Sequence, residues 1–198
     1  MDKYFLKLSR DPSLQLSCSF IPSTKSSPQN SLIVFLNGIS VPHELWYPVA
    51  QVLKKEISTC PPMFMYDRIG QKASIGRNQD IPGRPRGHGR DCLGAAHDLR
   101  DAIALVAEKH FGISSEKVDT LRIIIVASSV SCGIARLYAM EYPETVVAMV
   151  FLDSTLANSD TVSVFPDPDS PHFSRANLPA GVTPELCVDT RKKIFPVG

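Results

Sequence analysis

The chain has 198 residues, 43% of them hydrophobic, with 21 Lys and Arg against 20 Asp and Glu and a formal net charge of +1. That length supplies one sizeable core and lies in the range of a single domain. The charge balance leaves no long-range field to draw the chain to nucleic acid or to an anionic membrane, so a small neutral substrate suits it better.

Five cysteines (Cys18, Cys60, Cys92, Cys132, Cys187) are odd in number and contain no C-x-x-C pair, so reduced thiols are expected and no metal or other cofactor is called for. The start, Met1-Asp2-Lys3-Tyr4-Phe5-Leu6-Lys7, lacks the apolar core of a secretory signal. No run approaches the roughly 20 apolar residues of a membrane helix. A cytoplasmic location is the expectation.

In chain order, Tyr4-Phe5-Leu6-Lys7-Leu8 and Leu14-Gln15-Leu16-Ser17-Cys18-Ser19-Phe20 flank Asp11-Pro12, and the second run alternates apolar and polar residues, which predicts an opening hairpin. Leu32-Ile33-Val34-Phe35-Leu36 is continuously apolar, as a strand covered on both faces is, and stops at Asn37-Gly38. From His43 to Ile57, Trp46, Val49, Ala50, Val52 and Leu53 recur at helical spacing. Met63-Phe64-Met65-Tyr66 predicts a short strand closed by the turn Asp67-Arg68-Ile69-Gly70, and a Pro/Gly/Arg-rich loop runs to about Asp91. Leu99, Ala102, Ile103, Val106, Ala107 and His110 predict a helix with Gly112 as its C-terminal cap. A strand over 121–126, a helix over 130–141 and a strand over 146–152 follow. Such alternation builds a mostly parallel sheet flanked by helices. Beyond Ser154 the chain is rich in Pro, Asp and Ser, and a last helix starts at Thr183-Pro184-Glu185, which sets a capping hydroxyl, a first-turn proline and a first-turn acid in order.

An acyl-transfer serine has to be held off its own strand by a sharp strand-to-helix turn, with small residues two before and two after it. Ala127-Ser128-Ser129-Val130-Ser131 sits in that context, after Ile123-Ile124-Ile125-Val126 and before Cys132-Gly133-Ile134-Ala135. Ala127 and Ser131 stand where glycine is usual, and strained backbone of this kind costs on the order of 1–3 kcal/mol. Ser129 therefore reads either as a nucleophile or as the N-cap of the helix.

The whole segment 126–153 resembles the α/β-hydrolase superfamily, including Tyr138-Ala139-Met140-Glu141-Tyr142-Pro143-Glu144 and Met149-Val150-Phe151-Leu152-Asp153. Upstream, Val34-Phe35-Leu36-Asn37-Gly38 resembles the family's strand and oxyanion turn, with Asn37-Gly38 where His-Gly is common, and Tyr66-Asp67-Arg68-Ile69-Gly70-Gln71 resembles its Asp-Arg-x-Gly turn. The resemblance covers about 32–153, and the arm 158–173 is similar to the start of the cap in fungal-like members of the AB hydrolase-1 type. It implies an α/β-hydrolase core over 1–153 and a truncated cap segment over 154–198, with the last strands lacking. It also implies a serine hydrolase of carboxylic esters or related acyl compounds. Ser129 would be the nucleophile, and the backbone N–H groups of Val130 and Ile39 the oxyanion donors, with Gly38 in the turn. Removing one such donor costs roughly 3 kcal/mol.

The triad of this fold runs serine, acid, histidine along the chain. Asp153 ends the strand after the nucleophile helix and should emerge at the same carboxyl edge as Ser129, either as a turn former or as the acid. Only His172 follows Ser129, in a loop-like setting. His97, four residues before Asp101, reads as a surface contact, His43 as a helix cap or a solvated residue in preference to one facing the pocket, and His88 as part of a loop, while His110 lies on the apolar stripe of its helix. The acid and histidine are therefore expected past Gly198, which would leave this chain weak or inactive, with at best the roughly 10³–10⁴-fold over water that triad knockouts retain. The alternative is a non-catalytic protein of the same fold that binds a small ligand or a protein partner, its unpaired sheet edge open to self-association. The basic run 84–90 reads as a solvated loop, since it lacks the strand and helix of a phosphate-binding loop. Cys132 reads as a small packing residue, although a helix start can activate a thiol.

Overall fold

The computed structural model describes residues 1–23, 30–39, 41–76, 92–154, 168–171, 173–178 and 181–194. They fall into two compact units, Met1–Arg77 with Arg90–Ser154, and Asn78–Gly89 with Thr155–Gly198. The loop containing His88, the arm 158–167 and His172 lie outside the described residues.

The first unit carries six strands: β1 (Asp2–Lys7), β2 (Gln15–Ile21), β3 (Ser31–Leu36), β4 (Met63–Tyr66), β5 (Arg122–Ser128) and β6 (Val146–Leu152). They form one sheet in the order β1-β2-β4-β3-β5-β6. The opening hairpin is antiparallel, with Tyr4 opposite Cys18, and β2 continues antiparallel onto β4. From β4 through β3 and β5 to β6 every pair is parallel, so the sheet is mostly parallel as the alternation predicts. β3 is buried along its whole length, which its unbroken apolar run requires.

Helices α1 (Tyr47–Glu56), α2 (Cys92–Phe111) and α3 (Ser131–Glu141) connect the parallel strands. Ile33, Phe35, Met63 and Met65 share a buried cluster with Trp46 and Ala50. α2 buries Leu99, Ala102, Ile103, Val106 and Ala107, the stripe its periodicity marks, and packs on α3. One continuous helix from His43 is not what forms. His43–Trp46 is a 3₁₀ turn, and Pro48 in the first turn of α1 brings no N–H to continue a ladder backwards. At the end of α2, Gly112 has φ +66 and its N–H bonds the Glu108 carbonyl at 3.2 Å, while the Ile113 N–H reaches the Ala107 carbonyl at 3.2 Å. That left-handed cap is the one glycine supplies.

β6 is the outer strand on the parallel side. Its Val147, Met149, Val150, Phe151 and Leu152 are 37–46% exposed. The other edge is tied to α2 by His110, whose ring stacks on Phe20 at 3.7 Å and whose Nε2 lies 3.1 Å from the Tyr4 hydroxyl. Burial, with help from Lys109, pulls the His110 pKa below its usual value. The native state then binds fewer protons than the unfolded one, so this contribution is full above about pH 6.5 and is lost as the pH falls below it. Thermal melts from pH 7.5 to pH 5 should show a steeper loss of Tm in wild type than in His110→Phe; parallel slopes would remove His110 from the account.

In the second unit, a 3₁₀ turn at Arg175–Asn177 precedes α4 (Pro184–Ile194). The Leu186 N–H donates to Thr183 Oγ1 at 3.1 Å, the hydroxyl cap that Thr-Pro-Glu signals. Among the described residues no helix is long and apolar enough to cross a membrane.

Candidate functional site

Strands β5 and β6 run parallel and end together, with Ser128 paired to Leu152. The chain then turns sharply. Ser129 has φ +57, a left-handed conformation that costs an L-residue roughly 1–2 kcal/mol. Its N–H still reaches back to the Leu152 carbonyl at 3.1 Å, while its own carbonyl takes the Cys132 N–H at 3.1 Å and Val130 takes that of Gly133 at 3.0 Å. Val130, which precedes α3, is already helical at φ -55 and ψ -28.

Gly38, at the end of β3, lies against this turn. A Cβ built on it would stand 3.3 Å from Ser129 Cβ and 3.9 Å from Ser129 Oγ. The fold thus brings Ser129, Val130 and the Asn37–Gly38–Ile39 turn to one end of the parallel strands. Asp153 emerges at the same end, at φ +47 and exposed.

Ala127 and Ser131, the two small residues that flank Ser129, are fully buried. Ser131 is more than a tolerated substitute for glycine. Its hydroxyl donates to the Asn37 carbonyl at 2.6 Å and accepts from Arg68 Nη1. The same Nη1 donates to the Asn37 carbonyl, and Nη2 donates to the Gly38 carbonyl at 3.1 Å. Gln71 Nε2 donates to that carbonyl too, at 2.8 Å, while Gln71 Oε1 accepts from the Arg68 N–H at 3.0 Å and from Asn37 Nδ2 at 3.2 Å. Burial pulls the Arg68 pKa down from its ordinary value.

Below the turn lies a second polar cluster that the sequence does not announce. His43 is buried rather than solvated and does not cap a helix. Its Nε2 lies 3.0 Å from Ser19 Oγ, which also meets the Tyr47 hydroxyl at 2.8 Å. Its Nδ1 is 3.0 Å from Asp67 Oδ2, outside hydrogen-bond alignment. Asp67 Oδ1 accepts the His43 backbone N–H at 2.7 Å and Asn37 Nδ2 at 3.4 Å. Serine, histidine and aspartate thus line up in triad order, yet Ser19, His43 and Asp67 are 0–2% exposed, so no substrate reaches this serine. His43, Glu44 and Asp67 also bring ligand atoms within 4.8 Å of one another. The protein's own donors already occupy Asp67, which suits a structural hub better than a metal site.

His97 finds its partner on another helix than expected, with Nε2 3.6 Å from Glu141 Oε2. Cys132 is buried, its Sγ–H 3.4 Å from the Ala127 carbonyl, and burial raises its thiol pKa, which fits a packing residue.

No protein-family model matches the sequence, and no curated protein matches it. Solved structures do. A predicted CIB-like hydrolase from Thermoplasma acidophilum has a TM-score of 0.55 at 17% identity, over 83% of this chain and 68% of that one. A thermophilic esterase from Thermogutta terrifontis gives 0.50 at 17%, over 78% and 46%, and an alpha/beta hydrolase fold protein from Chitinophaga pinensis 0.51 at 11%, over 76% and 43%. This chain has the α/β-hydrolase fold. It spans about half the length of the second and third of these structures. Within the α/β-hydrolase fold of this chain, Ser129, Gly38 and Asp153 gather at the end of the sheet where open α/β sheets bind their ligands.

Proposed function

We propose that this chain is the nucleophile-bearing part of a serine hydrolase acting on carboxylic esters or related acyl compounds. Ser129 is the nucleophile, and the N–H groups of Val130 and Ile39 receive the oxyanion. The observation that carries this reading is Ser129 at φ +57 on the turn between β5 and α3, packed against Gly38. A strained serine at that place holds its hydroxyl off the strand, and a residue without a side chain beside it leaves room for a substrate carbonyl.

Ser129 Oγ attacks the carbonyl carbon, the carbonyl π pair moves onto oxygen, and the two N–H groups stabilise the charge that forms. The hydroxyl proton passes to a base, and collapse of the intermediate expels the alcohol and leaves an acyl-serine. His97 and His43 are held by Glu141 and by Asp67 with Ser19, and His110 by Tyr4 and Phe20. We assign the base to a residue outside the described ones, and the acid to Asp153 or to another such residue.

A fluorophosphonate probe tests the reading on the 198-residue chain. Intact mass should show one adduct, mapped to Ser129, and none on Ser129→Ala. Folded wild type that stays unlabelled would favour a binding protein of the same fold, for which the exposed apolar side chains of the outer strand β6 speak; that edge is open to another copy of this chain.

A further inference from the structure

We infer that Arg68, Gln71 and Ser131 are positioning residues that fix the Gly38–Ile39 peptide with its N–H, not its C=O, toward the Ser129 hydroxyl. The inference rests on the serine-hydrolase reading and adds to it the device that makes the second oxyanion donor.

A peptide plane beside a glycine rotates easily, because no Cβ restrains it. Its two faces have opposite effects on an oxyanion: the N–H side attracts the developing charge and the carbonyl side repels it. One rotation therefore decides whether the turn helps or hinders. No peptide among the described residues is cis, so the Ile39 N–H points opposite to the Gly38 carbonyl. Whatever holds that carbonyl aims the N–H.

Two donors hold it, Arg68 Nη2 and Gln71 Nε2. The preceding carbonyl, Asn37, is held by two more, Arg68 Nη1 and Ser131 Oγ. One guanidinium thus spans two successive carbonyls, which its planar fork can do and a lysine ammonium cannot. Gln71 is oriented in turn. Its Oε1 already accepts two N–H groups, from Arg68 and Asn37, so its NH₂ faces the Gly38 carbonyl. Ser131 closes the arrangement, since it lies two residues after Ser129 and bonds the turn across from it. With the Gly38 carbonyl drawn toward Arg68 and Gln71, the Ile39 N–H points away from them, and Gly38 itself borders Ser129.

The test uses the ¹⁵N-labelled 198-residue chain and the variants Gln71→Leu, Arg68→Met and Arg68→Lys, read by fluorophosphonate labelling kinetics and by the Ile39 amide resonance. Relative to wild type, Gln71→Leu and Arg68→Met should label roughly 10- to 100-fold more slowly at saturating probe, with the half-saturating concentration unchanged, because only the transition state carries the charge. Arg68→Lys should fall between. The Ile39 amide should shift and exchange faster while resonances of β5 and α3 stay in place, a pattern that general loosening would not give. If Arg68→Met fails to fold, Gln71→Leu carries the test. Wild-type labelling rates in Gln71→Leu with an unmoved Ile39 amide overturn the clamp. If wild type itself takes no label, the serine reading fails separately, and the Ile39 amide in Gln71→Leu still decides the clamp, an unmoved resonance overturning it.

Discussion

Asp67→Ala is expected to lose about 3 kcal/mol of stability, since each buried donor left without its acceptor costs roughly 1–3 kcal/mol. The carboxylate is 1% exposed and accepts the His43 backbone N–H at 2.7 Å and Asn37 Nδ2 at 3.4 Å, with His43 Nδ1 also 3.0 Å away. Alanine leaves the His43 backbone N–H and Nδ1 without that carboxylate in a buried site, while Asn37 Nδ2 keeps Gln71 Oε1. The backbone at this position is held independently, by the Asp67 N–H on the Ser17 carbonyl and by Ser74 Oγ on the Asp67 carbonyl, so the loss belongs to the side chain. Since a domain has only some 5–15 kcal/mol in total, the variant should unfold at a much lower urea midpoint. Asp67→Asn keeps one acceptor oxygen for the His43 N–H and should lose less. A midpoint for Asp67→Ala within 1 kcal/mol of wild type would show that the hub stabilises little.

That hub marks where the sequence stops being legible. Strands β4 and β6 can be read to the residue, because each is a short apolar run closed by a turn, and periodicity is a local property. The turn at Ser129 is legible for a related reason: strand, small residues and helix follow one another without a gap. His43 offers nothing of the kind. Its partners, Ser19 and Asp67, lie 24 residues to either side, and they meet only because β4 inserts between β2 and β3. No local pattern specifies that insertion. Ser131 is legible as a residue but its hydrogen bonding is not. Counted by volume it strains a glycine position; counted by hydrogen bonds it ties α3 to the Asn37 carbonyl, and the second account needs the register of β3 against β5. Burial of β6 is not legible either. Its composition is that of a covered strand, whereas its cover is a matter of what lies beside it in space.

Ser129→Gly should abolish fluorophosphonate labelling and at the same time leave the protein more stable than Ser129→Ala by about 1 kcal/mol. Both variants remove the hydroxyl, so neither labels, and the difference between them isolates the backbone. Ordinarily glycine is the worse of the two by roughly 0.5–1 kcal/mol, because it gives the unfolded chain more freedom to lose. At φ +57 the order inverts, since alanine keeps the Cβ that makes the left-handed region costly and glycine does not. Ser131→Gly provides the contrast. That position is helical, at the start of α3, so glycine relieves no strain there, and it forfeits the bond to the Asn37 carbonyl; about 1 kcal/mol should be lost, as for a typical internal hydrogen bond. The two glycines introduced two residues apart are thus expected to act with opposite sign. Urea midpoints that rank Ser129→Ala at or above Ser129→Gly would mean the turn is relaxed. The stored strain that sets the Ser129 hydroxyl apart from an ordinary surface serine would then be absent.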